Sequence, residues 1–196
     1  MKTAIVPIYG LNAYSQSRPH NTPKLKDELP DAWEERTWRE RVHRDRDGFI
    51  FIPPMSFKFA IADAAAFRSE KIKGKGNNTW TKHFSAGIIV ADACPIYQGK
   101  ERMHADKARG EWVYCHSDGK RTSGTRVYRQ FPMIDDWSTT CAFHIVDDII
   151  TEEIFLKFLR QAGQFIGIGR FRPRNGGILG RFAFDASKVK WTEDDL

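Results

Sequence analysis

The 196-residue sequence contains only three cysteines, Cys94, Cys115 and Cys141, an odd number at wide spacing. No CxxC pair occurs, so neither a disulfide framework nor a standard zinc site is indicated. No apolar run approaches the length of about 18 residues that a membrane helix needs. MKTAIVPIYGLNAYS lacks a continuous apolar stretch ending in a small-residue cleavage site, and it reads as a first strand rather than a signal peptide. A reducing bacterial cytoplasm fits these absences. HExxH, GxSxG and GxxxxGK[ST] are missing as well, so zinc-peptidase, serine-hydrolase and P-loop chemistry have no support. His20, His43, His83, His104, His116 and His144 form no pair at helical ligand spacing, and His104, Cys115 and His116 lack a fourth metal ligand. Neither a metal nor a cofactor is expected. The adjacent acids Asp135–Asp136 and Asp147–Asp148 read as solvated loop carboxylates.

Hydrophobic residues make up 41% and aromatics 13%, enough to bury the core of one domain, or of a core domain with one insertion. Lys plus Arg is 31 against 25 Asp plus Glu, a net charge of +6 whose distribution matters more than its size. AIVPIY at 4–9 predicts an opening strand, and Pro7 predicts an edge position or a distortion. PDAWEERTWRERV predicts a helix opened by an Asp31/Glu34 capping box. GFIFIPP predicts a strand, and MSFKFAIADAAAFR a helix burying Phe57, Ile61, Ala64 and Ala65, with Ser56 near its start. EWVYC predicts half of a hairpin without an evident partner; RVYRQFPMI is strand-like but carries Pro132. TTCAFHIVD alternates as a strand. Thr151 caps the helix TEEIFLKFLRQAGQF, which directs Ile154, Phe155, Phe158, Leu159 and Ala162 inwards, and RFAFD closes the fold. Alternating strands and amphipathic helices imply an α+β sheet with helices on one face.

One stretch stands apart. IGIGRFRPRNGGILGRF, residues 166–182, holds five glycines and four arginines and no acid. Its GxG follows a helix and precedes a strand, the reverse of a dinucleotide-binding turn. Like charges repel unless an anion sits among them. Phosphates fit, because guanidinium forks pair their oxygens and glycine amides permit close approach. A long hairpin turn with solvated arginines is the alternative. Further basic residues lie at Lys58, at a helix start; in the loop Lys71, Lys73, Lys75, Trp80, Lys82 and His83, which mixes charge with a ring that could stack a base; and at Arg121, Arg126 and Arg129. Their concentration in loops points to nucleic acid.

IVPIYGLNAYSQSR, FIFIPPMSFKFAIADAA and LRQAGQFIGIGRFRPRNGGILGRF together resemble the RAMP superfamily of CRISPR-associated proteins, most nearly the backbone subunits that coat guide RNA in antiviral effector complexes. Those carry an IPxSSLKGALR-like segment after an early strand and a glycine-rich basic loop near the C-terminus. The GRFRP…GRF ending also resembles phage-encoded proteins. The resemblance implies a ferredoxin-like, modified RNA-recognition-motif fold: an antiparallel sheet with helices on one face, a core of residues 1–67 and 131–196, and an insertion at 68–130 bearing finger or thumb elements. A chain of this length leaves little room for a long thumb hairpin.

The resemblance further implies that Lys58, Gly167, Gly169, Arg170, Arg172, Arg174, Gly176, Gly177 and Arg181 contact the RNA backbone. Ser15, Ser17, Arg18 and His20 would lie near the same strand. The expected function is non-catalytic binding of single-stranded guide RNA by repeated copies along it, alongside other effector subunits. Two alternatives are kept: a metal-independent endoribonuclease with His20 as general base, helped by Tyr14 and Lys24, and a phage-type single-stranded DNA binding or annealing protein.

Overall fold

The computed structural model describes residues 1–117 and 124–193. In chain order its principal elements are β1 (Lys2–Gly10), β2 (Tyr14–Ser15), α1 (Pro30–Thr37), α2 (Pro54–Arg68), α3 (Thr81–Ala86), β3 (Ile88–Ile89), β4 (Tyr97–Gln98), β5 (Arg109–His116), β6 (Arg126–Ile134), β7 (Ser138–Ile145), α4 (Glu152–Gln161), β8 (Phe182–Phe184) and β9 (Lys190–Glu193). Alternation along β1 sends Ala4, Val6 and Ile8 to one face, where all three are buried. Cys141, Phe143 and Ile145 do the same on β7, which pairs with β1 from Lys2↔Ile145 to Tyr9↔Ser138. Phe143 meets Phe57 of α2 at 6.2 Å and Phe155 of α4 at 5.3 Å between ring centroids, so both helices cover the same face.

On the far side of β1 lie β8 and β9, and beyond β7 lie β3 and β4, every pairing antiparallel. The sequence β–α–β–β–α–β with the last strand beside the first and the third inside the second is the ferredoxin-like arrangement. Pro7 does not mark an edge. It pairs with Thr140 on β7, while on its other side β9 begins opposite Ile5 and β8 ends opposite Ile8. A residue without an N–H thus falls at the break between two short strands, where no ladder bond is lost.

Helix α2 buries Phe57, Ala60, Ile61, Ala64 and Ala65, and α4 buries Phe155, Phe158 and Leu159, each large side chain contributing roughly 1.5–3 kcal/mol. Thr151 accepts from the Ile154 amide at 3.4 Å and caps α4; a wide turn over Ala162–Ile166 then carries the chain to Gly167. The expected capping box of α1 is absent. Pro30 takes the first helical position after Leu29, and Glu34 is drawn inwards to Arg41 at 2.8 Å. That pair is buried, and Arg41 also donates to the Gln130 carbonyl at 2.9 Å, joining α1 to β6.

The hairpin's missing strand is β6. It pairs with β5 over eight positions, Arg109↔Met133 to His116↔Arg126, and β2 adds a third strand at its base. A long hairpin therefore fits a chain of this size, and Pro132 is accommodated opposite Gly110. Its root takes residues 131–134 from the stretch read as core, and β3 and β4 return residues of the stretch read as insertion to the main sheet. No helix among the described residues is long and apolar enough to cross a membrane.

Candidate nucleic-acid interface

The glycine–arginine stretch is neither a strand hairpin nor an open loop. Ile168 donates to Gly180 at 2.9 Å and Leu179 to Phe171 at 3.0 Å, closing a tight turn. The turn is then tied to the segment after β1: Arg170 N donates to Ser15 O, and Gly180 N to Ala13 O, both at 2.8 Å. Gly169 sits at φ +73°, where a Cβ would lie 2.3 Å from the Ser15 carbonyl. At Gly180, φ +67°, it would lie 1.9 Å from the Ile168 carbonyl. Glycine at these two positions lets the chain pack against itself, which is a different reason from the close approach to phosphate expected above.

The four arginines diverge. Arg172 has a carboxylate of its own, Asp63 of α2, at 3.5 Å. Arg174 lies 5.9 Å over the Phe67 ring, exposed on the helix side. Arg181 is half-buried, with its Nε unpartnered. Arg170 is different in kind: its guanidinium lies 4.2 Å over Phe131 and 5.2 Å over Phe171, and it donates to Ser17 Oγ at 3.2 Å. Its Nε is buried without a partner. Burial holds its pKa below the ordinary arginine range, with Arg129 and Arg41 adding to the effect and Cys115 opposing it. A half-buried cation among cations, with no carboxylate in contact among the described residues, is short of an anion.

Concave surface opens on both sides of Arg170. One groove, of about 420 Å³, runs between the hairpin (Tyr114, Cys115, His116, Arg126) and the turn (Phe171, Gly176, Gly177). A second, of about 380 Å³, continues past Gly169 to Tyr14, Gln16, Ser17, His43 and Ser56 at the start of α2. Arg170 and Asn175 line both, and among the described residues no carboxylate lines either. Ser15 Oγ, buried between the groove residues Tyr14 and Gln16 in the chain, has no partner. His43 is pushed below its ordinary pKa by burial and by the charge of Arg18. Tyr14 is fully buried beside Gln16 and Ser56, and burial pushes its pKa up to about 12, so its hydroxyl stays neutral.

Several residues singled out in the sequence lie elsewhere. Lys58 donates to the carbonyls of Phe84 at 3.0 Å and Ser85 at 2.6 Å, capping the C-terminal end of α3. Trp80 packs in the core against Phe84 and Phe158 and offers no face to a base. Lys71, Lys73, Lys75 and Lys82 are exposed on the helix side, on a segment anchored through Glu70 and Lys157, and line neither groove. His20 stacks on Trp33 at 5.4 Å and also lines neither groove, and buried Tyr14 cannot assist it. Arg121 lies outside the described residues. Of the residues named as lying at or near the RNA strand, Ser17, Arg126, Gly169, Arg170, Gly176 and Gly177 line the grooves, and Arg18 stands beside His43.

Sequence reasoning overlooked the outer face of the hairpin. Trp112, Tyr114 and Tyr128 are 41%, 54% and 60% exposed, and the two tyrosine rings lie 4.9 Å apart across the strands. Arg126 lies 5.9 Å over Tyr114. The W-x-Y alternation in EWVYC was the available signal, unreadable without the partner strand that sets its face.

No family model matches the sequence, and no curated protein matches it. The fold superposes on a chain in the structure of the Type III-B Cmr-beta bound to cognate target RNA with a TM-score of 0.54 at 11% identity, covering 97% of this chain. This chain spans 60% of the length of that one. A chain of a CRISPR RNA-guided surveillance complex superposes at a TM-score of 0.33 and 6% identity over 91% of this chain and 66% of that one, too loosely to carry an argument. At such identities the likeness establishes a shared fold.

Proposed function

We propose that this protein is a non-catalytic binder of single-stranded guide RNA in a CRISPR-type effector complex, with repeated copies along the RNA and other subunits beside it. The groove on both sides of Arg170, free of acids among the described residues, carries the reading. A polynucleotide backbone supplies the anion that Arg170 lacks, Arg126 provides a second cation along the same path, and Ser17 and Asn175 offer neutral hydrogen bonds. The exposed rings of Trp112, Tyr114 and Tyr128 beside Arg126 form a stacking platform tolerant of sequence. A chain sharing this fold belongs to a Cmr-beta structure bound to target RNA, which supports RNA as the ligand class.

Titrations with single-stranded RNA and DNA of equal length test the reading. Affinity for RNA falls with salt at a log–log slope of roughly −0.7 for each phosphate contacted, and the double variant Arg126→Ala/Arg170→Ala weakens binding to all sequences alike. Affinity independent of salt, or unaltered in the double variant, rejects it. Tighter binding of DNA than RNA rejects guide RNA as the ligand in favour of a single-stranded DNA binder.

A further inference from the structure

The open face of the main sheet, opposite α2 and α4, carries a second concave site. Tyr9 on β1 pairs with Ser138 on β7, and Ser138 pairs with Tyr97 on β4. Residues directly opposite one another share a face, so two tyrosines stand two strands apart with a serine between them. Neighbouring strands lie about 4.8 Å apart, which puts the tyrosine backbones roughly 10 Å from each other. A flat ring held at van der Waals contact on both faces needs about 7 Å between the rings that hold it. Side chains rising from such backbones bracket a gap of that order.

A cavity of about 260 Å³ occupies this position, with Tyr9 and Tyr97 among its walls, Pro7 and Thr140 on its floor and Lys188 at its rim. Tyr9 is 49% exposed, a large ring left to water although the face beneath is concave. The Lys188 side chain is 71% exposed. Asp185, also at the rim, is occupied by Ser187 Oγ at 2.7 Å and the Ser187 amide at 3.0 Å, and lies 3.8 Å from Lys188. Flat apolar walls, hydroxyls on the floor and a cation at the mouth complement a planar heterocycle that carries a phosphate. Tyr9 also leads directly into the segment whose Ala13 and Ser15 carbonyls hold the arginine turn, so slot and groove open at the same end of β1.

We infer that this slot takes one unpaired nucleobase of the bound RNA between Tyr9 and Tyr97, with the adjoining phosphate at Lys188. The inference rests on the RNA-binding reading above and adds base contact to what is otherwise backbone contact. Its test compares binding of the full chain to oligouridine and to abasic RNA of equal length. The oligouridine binds about tenfold more tightly. Tyr9→Ala and Tyr97→Ala each abolish that preference, Tyr9→Phe retains it, and affinity for abasic RNA, held by the groove, is the same in all three, which also verifies folding. Ultraviolet crosslinking recovers uridine on the peptides containing Tyr9 and Tyr97. Equal wild-type affinity for the two RNAs overturns the slot while leaving the groove intact. So does a preference that survives the alanine variants and disappears in Trp112→Ser/Tyr128→Ser, or an effect of the alanine variants on self-association without RNA. Failure of the wild-type chain to bind either RNA overturns groove and slot together.

Discussion

Arg170 and Arg172 are two residues apart and identical in chemistry, yet their surroundings assign them different work. Asp63 neutralises Arg172, whereas Arg170 keeps a half-buried charge over aromatic rings. Arg170→Ala is expected to weaken RNA binding across all sequences and to reduce the salt slope by about 0.7, with Arg172→Ala having a much smaller effect. Equal losses in filter-binding titrations would remove the groove assignment. Lys58 is the opposite case. Its ammonium serves the carbonyls of Phe84 and Ser85, so Lys58→Met is expected to cost about 1–2 kcal/mol in urea unfolding and to leave RNA affinity unchanged. Burial depresses the pKa of His43, with Arg18 adding to it, and that of His20, with Arg41 adding to it. The unfolded chain protonates these histidines at the ordinary 6.5, the folded chain only at lower pH. Their contribution to stability is therefore complete above 6.5 and is lost as the pH falls towards the lowered folded values. The melting temperature should decline between about pH 7.5 and 5.5, and His43→Asn should flatten part of that decline; a flat wild-type profile contradicts the assignment.

Elements differ in how much of them could be read in advance. Helices α2 and α4 were legible because a 3.6-residue period names the buried face without reference to anything distant. The hairpin was not: register, and hence the face of Trp112 and Tyr114, exists only once β6 lies alongside β5. The capping box at Asp31 and Glu34 failed for a related reason, since a buried arginine seven residues away outcompetes a helix amide for the carboxylate. Glu34→Gln leaves Arg41 buried without its counter-ion and is expected to cost roughly 3–5 kcal/mol, seen as an earlier thermal transition. Gly169→Ala brings a Cβ against the Ser15 carbonyl at a positive φ, so the arginine turn should detach from the segment after β1. Circular dichroism would show most helix retained while RNA affinity falls; unchanged affinity would mean the turn need not be docked.

At the scale of the whole molecule, the excess of six positive charges and one groove on an otherwise ordinary sheet are too little for a lone copy to hold a long RNA firmly. On the proposed function, copies repeated along the strand would supply the remainder. Sedimentation of the protein with RNAs of increasing length should show bound copies rising in steps with length; one copy per RNA at every length would rule out assembly along the strand. The sequence by itself determined the class of fold, the faces of the two long helices and the concentration of charge in one glycine-rich turn, because period, capping and composition are local properties of the chain. Which arginine lacks a carboxylate, which lysine is spent on a helix end, that Trp80 is core and that Tyr9 and Tyr97 line one cavity were decided only by the tertiary structure. Each depends on a partner distant in sequence, and neither the availability of a charge nor the exposure of a ring can be known until that partner is in place.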